Sequence, residues 1–498
     1  MVRPLKTEAV RYRDLRGWID AARGLGEVRD VRGATWQEDI GRITEMLHHT
    51  DDSPAVLFDE IPGYPPGYRI LANANATRRR LALTFGMALD IERRALMDEF
   101  LRLTEEGRAL PPRIVKDGPV FENVLKGDDV DVLKFPSPKW HPLDGGRYLG
   151  TGVVDVMKDP DSDWVNLGTY RVMVQDRRRV GVYISPGKHG RQFRDAYFKR
   201  KEACPIAVVC GVEPLLFIAS TLEVPQGISE YDWTGGIRGE PYEVVIDPIT
   251  KLPIPARAEV VLVGFLHHDK KAPEGPFGEW TGYYASGERE EPTLEVEAIY
   301  HRDDPILLGV PPNKPPYEPH RYREYLRSAL LLREVKAAGV PGIVDAHCFG
   351  VGGCRLFNVV AIQQRYAGHA RQAGHIAAMS RVGAYLGRIT VVVDEDIDVT
   401  DLNDVMWALL TRADPERSID MIKRAWSGPL DPAIHPDQKG FSSRLVIDAC
   451  KPWEWRERFP IAIGPDAETK RETRKKWGWI LQQAVADAVR EEAAAPAE

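Results

Sequence analysis

A long succession of short β-rich segments, between residues 115 and 310, limits the fold of this 498-residue chain more than any other feature. The segments are rich in valine, isoleucine and tyrosine, and glycine, proline and aspartate separate them as turns. Many short strands at this spacing are typical of a β-barrel or a β-sandwich. Mixed helical and strand patterns flank this region on both sides. We therefore predict an α/β plus β fold with the β-rich domain in the middle.

Proline positions divide the chain into predicted domains. Pro111 and Pro112 mark the change from mixed to β-rich sequence, and the stretch NKPPYEP at residues 313–319 marks the change back. The predicted divisions are an N-terminal α/β domain over residues 1–114, a β-rich domain over 115–315, a C-terminal α/β domain over 316–465, and a charged, alanine-rich C-terminal helix over 466–498.

Composition and charge exclude several classes of protein. The net charge of -7 argues against nucleic-acid binding, because such domains usually carry a basic surface. Five scattered cysteines indicate a reducing compartment and not a disulfide framework. The first residues, MVRPLKTEAV, lack the apolar core of a signal peptide, and apolar runs such as Val260–Leu266 are too short to cross a membrane. We expect a cytoplasmic protein with no nucleic-acid or membrane partner.

Two acidic residues stand in an unusual loop. The stretch APEGPFGEWTGYY at residues 272–284 places Glu274 and Glu279 in a segment too rich in proline and glycine to be a helix. Arg171 is a candidate partner, and an arginine beside a carboxylate has two interpretations. Either it forms a surface salt bridge that adds little to stability, or it binds an anionic substrate while a glutamate with a raised pKa donates a proton.

Three further polar residues lie in the β-rich region. Asn166 belongs to NLGTYR, which we predict to be part of one strand ending beyond Arg171, whereas His189 and Glu230 lie in predicted glycine-rich loops. An asparagine, a histidine and a glutamate are suitable ligands for Mn²⁺ or Mg²⁺. Their spacing in the sequence does not show that they share one metal site, because they come from separate segments.

Other motifs do not support a function. The acidic stretch DEDID at residues 394–398 lacks the turn glycine and the final glutamate of a calcium-binding EF-hand loop. The stretch HCFGVGGC at residues 347–354 offers one histidine and two cysteines, an incomplete zinc site. Dinucleotide-binding, P-loop and serine-hydrolase motifs are absent from the sequence.

Taken together and in order, these elements resemble the UbiD-type decarboxylases, which use prenylated FMN. The resemblance covers nearly the whole chain. The elements that carry it are NLGTYR at 166–171, KHG at 188–190, ASTLEVPQGISE at 219–230, PEGPFGEWTGYY at 273–284 and VVVDEDIDVTDLNDVMWALLTR at 391–412. The resemblance implies a split β-barrel flavin-binding domain between an N-terminal α/β domain and a C-terminal α/β dimerisation domain. It also implies a homodimer or homohexamer, with the last helix either reaching a partner subunit or packing on its own.

The resemblance assigns residues to prenylated FMN and to two metal ions. It implies that Mn²⁺ is held by Asn166, His189 and Glu230 and joins the protein to the flavin phosphate. It implies that K⁺ is held around Trp164, Ala219, Ser220, Leu222 and Glu230. Residues implied to bind the cofactor are Asn166, Thr169, Tyr170, Arg171, Lys188, His189, Ala219, Ser220, Glu230 and Arg388, the last at a position where relatives often have lysine.

The resemblance further implies a catalytic trio of Arg171, Glu274 and Glu279. The substrate carboxylate would bind near Arg171, and protonated Glu279 would give a proton to the carbon that loses CO₂. Glu274 would sit between Arg171 and Glu279 and tune both, so that one carboxyl group is ionised and the other neutral.

The implied substrate is an aromatic, heteroaromatic or α,β-unsaturated carboxylic acid, and a flavin prenyltransferase would supply the cofactor. His320, Arg321, Arg323 and the loop at residues 435–441 fall where relatives line the substrate, which favours a hydroxylated or nitrogen-containing ring. The direction of the reaction stays open. Two alternatives also stay open: an FMN-dependent oxidoreductase on the same barrel, which NAD(P)H would reduce, and a non-catalytic metal- or flavin-binding protein.

Overall fold

The computed structural model describes residues 12–105, 109–222, 224–284, 287–428, 430–465 and 467–480. The chain divides into two units, one ending at Cys450 and the other beginning at Lys451. None of the helices in these ranges has the length and apolar character needed to span a membrane.

The elements follow one another along the chain. Before the central region they are α1 (Leu15–Gly24), β1 (Val28–Arg32), α2 (Asp39–His48), β2 (Ala55–Asp59), β3 (Arg69–Ala72), α3 (Arg78–Phe85), α4 (Arg93–Glu105) and β4 (Arg113–Ile114). The central region contains β5 (Asn123–Lys126), β6 (Val153–Lys158), β7 (Val165–Gly168), β8 (Arg171–Val174), β9 (Arg179–Tyr183), α5 (His189–Lys199), β10 (Cys204–Cys210), α6 (Pro214–Thr221), α7 (Glu230–Arg238), β11 (Glu243–Ile246), β12 (Pro253–Pro255), β13 (Val260–Glu274), β14 (Arg289–His301) and β15 (Ile306–Gly309). The remaining elements are α8 (Glu318–Ala337), β16 (Ile343–Cys348), β17 (Phe357–Ile362), α9 (His369–Met379), α10 (Arg381–Ala384), β18 (Ile389–Asp394), α11 (Leu402–Arg412), α12 (Pro415–Ser418), β19 (Ile419–Trp426), β20 (Phe441–Asp448) and, in the second unit, α13 (Ala467–Trp477).

A twisted path of antiparallel strands forms the central sheet, in the order β7-β6-β10-β13-β14-β9-β8, with β5 also paired to β14. Its strands bury both faces, because successive side chains point to opposite sides. On β10, for example, Ile206 and Val208 enter one hydrophobic core while Ala207 and Val209 enter another. The sheet is thus covered on both faces.

The two ends of this sheet meet at a seam that we define as residues 166–171. Strands β7 and β8 stand at opposite ends of the path, yet only Thr169 and Tyr170 separate them in sequence. A two-residue link spans at most about 11 Å, so the sheet must curl until its ends are neighbours. The prediction of a single strand through NLGTYR is therefore wrong, because the chain passes from one end of the sheet to the other within it.

The sheet is not closed into a barrel by pairing among the described strands. The outer edge of β8 is occupied by a neighbouring segment: Leu149 N donates to Val172 O at 3.0 Å, and Val174 N donates to Arg147 O at 2.8 Å. A strand has only two edges, and β9 holds the other one. The split barrel that the resemblance implies is thus not confirmed.

The flanking regions are mixed, as predicted. Near the N-terminus a four-stranded sheet has the order β1-β2-β3-β15, so β15 returns to pair with β3. A three-stranded sheet, β12-β11-β4, and a five-stranded sheet, β16-β17-β18-β20-β19, complete the first unit. In the second unit, α13 accounts for part of the predicted C-terminal helix, and residues 481–498 lie outside the described ranges.

Two predicted loops in the central region are wrong. His189 is the first residue of α5, and Glu230 is the first residue of α7. Each side chain therefore projects from the start of a helix, where unpaired backbone N–H groups favour negative charge. The Ser229 side chain caps α7 by accepting a hydrogen bond from Tyr231 N at 3.3 Å.

Candidate active site

Arg171, the first residue of β8, lies between the two carboxylates of the proline-rich loop. Its Nη2 donates to Glu274 Oε2 at 2.6 Å, and its Nη1 donates to Glu279 Oε1 at 3.3 Å. The structure brings the predicted trio together, but the expected order is wrong. Arg171, and not Glu274, is the central member, because the guanidinium is the group that contacts both carboxylates.

The trio is removed from water to different degrees. The side chain of Glu274 is completely buried, that of Arg171 is 5% exposed and that of Glu279 is 14% exposed. Burial raises the pKa of Glu279, and nearby Glu274 adds to this, whereas Arg171 and Arg289 oppose it. Burial alone would lower the pKa of Arg171, but Glu274 and Glu279 together raise it. Glu279 is thus placed to hold a proton beside a permanent cation.

The loop that carries the glutamates is fixed by a close backbone approach. Glu274 is the last residue of β13, and the chain then turns through Gly275 and Pro276. At Gly145 an added Cβ would lie 2.0 Å from Gly275 O, so only glycine allows this contact. The N–H of Gly145 donates to Pro276 O at 2.8 Å. The backbone at Gly145 and the backbone at residues 275–276 therefore fix each other's position. Glu274, which precedes Gly275, is held in place by the same contact.

A cleft of about 120 Å³ opens beside the trio. Arg171 and Glu279 reach it, and the Nε of Arg171 is buried without a hydrogen-bond partner in the described chain. A buried unpaired donor of a charged group is costly, which makes this atom a natural contact for an anionic ligand. The residues that line the cleft are Thr151, Thr169, Tyr170, Arg171, Tyr183, Ser185, Lys188, Phe277, Gly278, Glu279 and Pro312.

Tyr183 restrains the guanidinium of Arg171 from one side. The Cζ of Arg171 lies 4.6 Å from the centre of the Tyr183 ring, and the Cζ of Arg289 lies 4.1 Å from the same centre. Cations stack favourably on tyrosine faces, especially away from water. Arg289 is also the cross-strand partner of Glu274 in the β13–β14 ladder. A second positive charge therefore stands close behind the trio.

The predicted metal ligands meet at the seam. Asn166 Nδ2 donates to Glu230 Oε1 at 3.0 Å, and the ring of His189 lies edge-on to Trp164 with centroids 4.8 Å apart. Glu230 also accepts from Leu167 N at 2.7 Å, and burial raises its pKa to about 7. Within the described ranges, no lysine, arginine or histidine forms a salt bridge with Glu230.

Burial and the charge of Lys188 lower the pKa of His189, so its ring is neutral and can act as a ligand. No group of three or more histidine, cysteine, aspartate or glutamate side chains among the described residues could hold a metal ion. The set of Asn166, His189 and Glu230 contains only two such side chains, so other oxygen atoms would have to complete the coordination.

Tyr170 organises the turn of the seam, and two glycines make room for its ring. A Cβ on Gly168 or on Gly190 would lie 2.3 Å from the nearest atom of the Tyr170 side chain. The Tyr170 hydroxyl donates to Asn166 Oδ1 at 3.0 Å and accepts from Gly190 N at 3.1 Å. Buried Asp155 accepts from Tyr170 N at 2.9 Å. These contacts explain the glycines of NLGTYR and KHG, and they join β7 to the start of α5.

The residues assigned to K⁺ also lie around the seam. Thr169 and Ser220 hydroxyls are 2.8 Å apart, and Leu222 N donates to Ala219 O at 3.1 Å. Trp164 Nε1 donates to Ile228 O at 3.4 Å, next to the start of α7. Helix α6 therefore ends where β7 and α7 meet.

Lys188 and Arg388 differ in their relation to the cleft. Lys188 lines it, and its position immediately before α5 places a cation at that helix start. Arg388 does not line the cleft in the described structure and forms an ion pair with buried Asp431. The assignment of Arg388 to the cofactor stays a prediction.

Residues proposed to line the substrate separate into different environments. His320 is buried, neither ring nitrogen has a hydrogen-bond partner among the described residues, and burial together with nearby arginines lowers its pKa. Its ring packs on Tyr317 with centroids 4.2 Å apart. Arg321, by contrast, pairs with exposed Asp51 at 2.6 Å, and Arg323 donates to Thr221 O at 3.3 Å. In the loop at 435–441, Phe441 is exposed.

Several aromatic residues of the site carried no recognisable signal in the sequence. Tyr183 and Phe277 line the cleft, and Tyr148 donates to Glu274 Oε1 at 3.2 Å from behind it. Buried tyrosines and phenylalanines are common in any core. Only the closeness of Phe277 to the two glutamates in sequence could have pointed to a role.

Three family models match the chain in order. The N-terminal, Rift-related and C-terminal domains of 3-octaprenyl-4-hydroxybenzoate carboxy-lyase match residues 19–104, 113–315 and 320–449. Together these ranges cover most of the sequence.

Individual relatives match over nearly their whole length. The chain is 31% identical over 493 residues to the pyrrole-2-carboxylic acid decarboxylase of Pseudomonas aeruginosa, covering 93% of this chain and 97% of that protein. The vanillic acid decarboxylase of Sedimentibacter hydroxybenzoicus in open form is 27% identical with a TM-score of 0.81, covering 95% of this chain and 99% of that one.

A third relative is HmfF of Pelotomaculum thermopropionicum, a UbiD-class enzyme solved in complex with FMN. It is 27% identical with a TM-score of 0.81, covering 92% of this chain and 98% of that one. An evolved dimeric form of HmfF was solved in complex with prFMN. The family models, the end-to-end match of the curated relative and the assembled trio agree, and the chain belongs to the UbiD family of carboxy-lyases.

Proposed function

We propose that this protein catalyses the reversible decarboxylation of an aromatic, heteroaromatic or α,β-unsaturated carboxylic acid in the cleft beside Arg171, using prenylated FMN. One observation carries the proposal. A buried arginine holds two carboxylates and keeps one unpaired N–H, while one of the carboxyl groups has a raised pKa. This arrangement can bind an anionic substrate and supply a proton in the same place.

The residues at the seam fit a cofactor with a phosphate group and a divalent cation. Asn166 contributes an amide oxygen and His189 a neutral imidazole. Glu230 contributes a buried carboxylate that has no cationic partner among the described residues. Hard cations prefer such oxygen-rich sets, which phosphate oxygens can complete. We assign Mn²⁺ to these three residues, and K⁺ to Trp164, Ala219, Ser220, Leu222 and Glu230.

Prenylated FMN would be held by Thr169, Tyr170, Lys188 and the ligands of the cation. When bound, it supplies the electron sink that decarboxylation requires. The backbone N–H groups at the start of α5 favour the negative charge of its phosphate. The solved complexes of HmfF with FMN and prFMN support this choice of cofactor.

Side chains of the protein would bind the substrate carboxylate and transfer the proton. Arg171 orients the substrate carboxylate through its free Nε–H, and its ion pairs with both glutamates keep it in place. Glu279, whose pKa burial raises, would give its proton to the carbon that has lost CO₂. Glu274 holds Nη2 of Arg171. In the direction of carboxylation, the same Glu279 takes the proton back as the base.

His320 supports a polar ring as substrate. Its two unpartnered nitrogens are buried, and such groups normally find a partner. His320 does not line the cleft in the described structure, so only a hydroxyl or ring N–H of a substrate that extends beyond the lining residues would serve. The relatives named for pyrrole-2-carboxylic acid and vanillic acid support this class. Arg321 is not part of the proposed substrate site, because it pairs with Asp51, whose side chain is exposed.

We further propose that the protein is a homodimer or homohexamer formed through the C-terminal region. Helix α11 leaves Trp407 and Leu410 exposed, and β19 leaves Met421 and Trp426 exposed. An interface between subunits would cover exposed apolar side chains of this kind. The division into domains at residues 114, 315 and 465, the split barrel, the flavin prenyltransferase as supplier and the cytoplasmic location stay predictions.

The test is to purify the protein after co-expression with a flavin prenyltransferase. Mass spectrometry and absorbance spectra identify the cofactor, and a panel of pyrrole, furan, hydroxybenzoic and cinnamic acids is followed for loss of carboxylate. We expect prenylated FMN and turnover of at least one acid. Protein that binds only FMN, is reduced by NAD(P)H and releases no CO₂ would instead support an oxidoreductase.

A further inference from the structure

Glu274 and Glu279 differ in one contact that the mechanism above does not use. Tyr148 is completely buried and does not line the cleft, yet its hydroxyl donates to Glu274 Oε1 at 3.2 Å. Glu274 thus accepts one hydrogen bond on each oxygen, from Tyr148 and from Arg171. Glu279 accepts a side-chain hydrogen bond only from Arg171 among the described residues. The two carboxylates are therefore held unequally.

The backbone places Tyr148 beside Arg171 independently of this hydroxyl. Tyr148 forms a bridge with Met173 on β8, two residues beyond Arg171. The flanking residue Leu149 is hydrogen-bonded to Val172. Removing the hydroxyl leaves all of these contacts intact, so the position of the ring does not depend on Glu274.

The ring of Tyr148 also has its own packing. It lies against Phe277, with ring centroids 4.1 Å apart and an interplanar angle of 35°. Phenylalanine at position 148 would keep this contact, because it differs from tyrosine only in the hydroxyl. The packing of the Tyr148 ring therefore does not depend on its hydroxyl.

Burial and two nearby acids keep the hydroxyl protonated. Glu274, Arg171 and Asp144 face Tyr148, while Glu279 and Arg289 stand beyond Arg171 and Glu274. Burial raises the pKa of Tyr148, the two acids add to this, and Arg171 opposes it. Tyr148 is thus a donor throughout the range in which the enzyme would work.

We propose that Tyr148 is a positioning residue of the reaction: its hydroxyl anchors the carboxylate of Glu274 against Nη2 of Arg171, which leaves Nη1 for Glu279 and Nε for the substrate. This inference rests on the proposed decarboxylase function. Without the hydroxyl, Oε1 of Glu274 is buried with no donor among the described residues, so the carboxylate turns away from Arg171. Arg171 then moves towards Glu279, which loses its neutral form more easily.

The experiment compares the holoenzyme variants Tyr148→Phe and Tyr300→Phe. Tyr300 is the matched control, because its buried hydroxyl donates to Asp247 Oδ1 at 2.6 Å and does not line the cleft. Cofactor and metal content are measured first, and then kcat and KM across pH. For Tyr148→Phe we expect kcat to fall about tenfold, KM to stay within about twofold, and the alkaline limb of the kcat profile, which reports loss of the proton from Glu279, to move to lower pH. For Tyr300→Phe we expect no shift of that limb.

Crystal structures of both variants give a readout that does not depend on turnover. We expect the Arg171–Glu274 ion pair to lengthen beyond hydrogen-bond reach in Tyr148→Phe and to stay unchanged in Tyr300→Phe. An unchanged ion pair, or an unshifted alkaline limb, overturns the role of Tyr148. A wild-type protein that decarboxylates none of the acids overturns the proposed function, and the crystal structures then decide the role of Tyr148 separately.

Discussion

Arg171 and Glu274 form the most deeply buried ion pair of the cleft, with Nη2 and Oε2 at 2.6 Å and neither side chain more than 5% exposed. Breaking such a pair by removing one partner is strongly destabilising, because the other charge stays buried and alone. Conservative replacements that keep charge or shape therefore give the clearest tests of the site.

The first prediction is that Arg171→Lys abolishes turnover while the fold persists. Lysine keeps the positive charge but cannot reach Glu274, Glu279 and the substrate at once, because its ammonium is a single point. We expect kcat/KM to fall at least about a hundredfold, which corresponds to roughly 3 kcal/mol. Flavin content must be measured first, since impaired cofactor binding would give the same loss. Exposed Arg178→Lys is the control, and normal turnover in Arg171→Lys would remove this residue from the trio.

The second prediction concerns the proton donor. Glu279→Gln keeps the shape of the side chain but has no acidic proton, so we expect roughly a hundredfold loss of kcat with near-normal substrate binding. Exchange of the product's ring or vinyl hydrogen with deuterated solvent, followed by NMR, should also disappear. Exposed Glu297→Gln provides the comparison. A Glu279→Gln enzyme that keeps more than about a tenth of wild-type turnover would show that another group donates the proton.

The third prediction concerns the metal. His189→Ala removes the neutral imidazole from the set that includes Asn166 and Glu230, so manganese and flavin content of the purified holoenzyme should fall together. Metal analysis by mass spectrometry and absorbance of the flavin measure the two quantities. His375→Ala, on α9, is the control because it removes a histidine bound to Asp420. Full manganese in His189→Ala would contradict the assignment.

The fourth prediction concerns stability and pH. Burial raises the pKa of Glu318 to about 7, against hydrogen bonds and Arg80. The folded state therefore binds a proton that the unfolded chain releases at lower pH, so stability falls as the pH rises from about 4.5 to about 7. The total effect is on the order of 3 kcal/mol.

Glu318→Gln should remove this part of the pH dependence. Denaturant midpoints of the cofactor-free protein at pH 5 and pH 8 measure it, with exposed Glu297→Gln as the control. Equal differences between the two pH values in wild type and Glu318→Gln would contradict the prediction.

Much of the architecture could be predicted from local patterns. The strands around Val154, Val208 and Val261 and the helix of α8 follow from their hydrophobic periodicity. The starts of α5 and α7 could not be recognised, because both helices are short and contain glycine, which the sequence pattern associates with loops.

The site was harder to predict than the fold for a physical reason. Arg171 and Glu274 are 103 residues apart, and their contact depends on β8 and β13 lying in one curled sheet. Local sequence carries no information on such a pairing. The resemblance named the three members of the trio, but the order in which they touch depends on distances that only the fold determines.

The two-residue link of the seam also has a consequence for how this enzyme can diversify. Asn166 and Arg171 stand on strands joined only through Thr169 and Tyr170, so the proposed cation site and the proposed substrate anchor share a fixed spacing. An insertion or deletion there would change that spacing and rotate one end relative to the other. Adaptation to a new substrate would therefore change side chains that line the cleft outside the link, such as Tyr183 and Phe277, while the distance between the two proposed sites is kept.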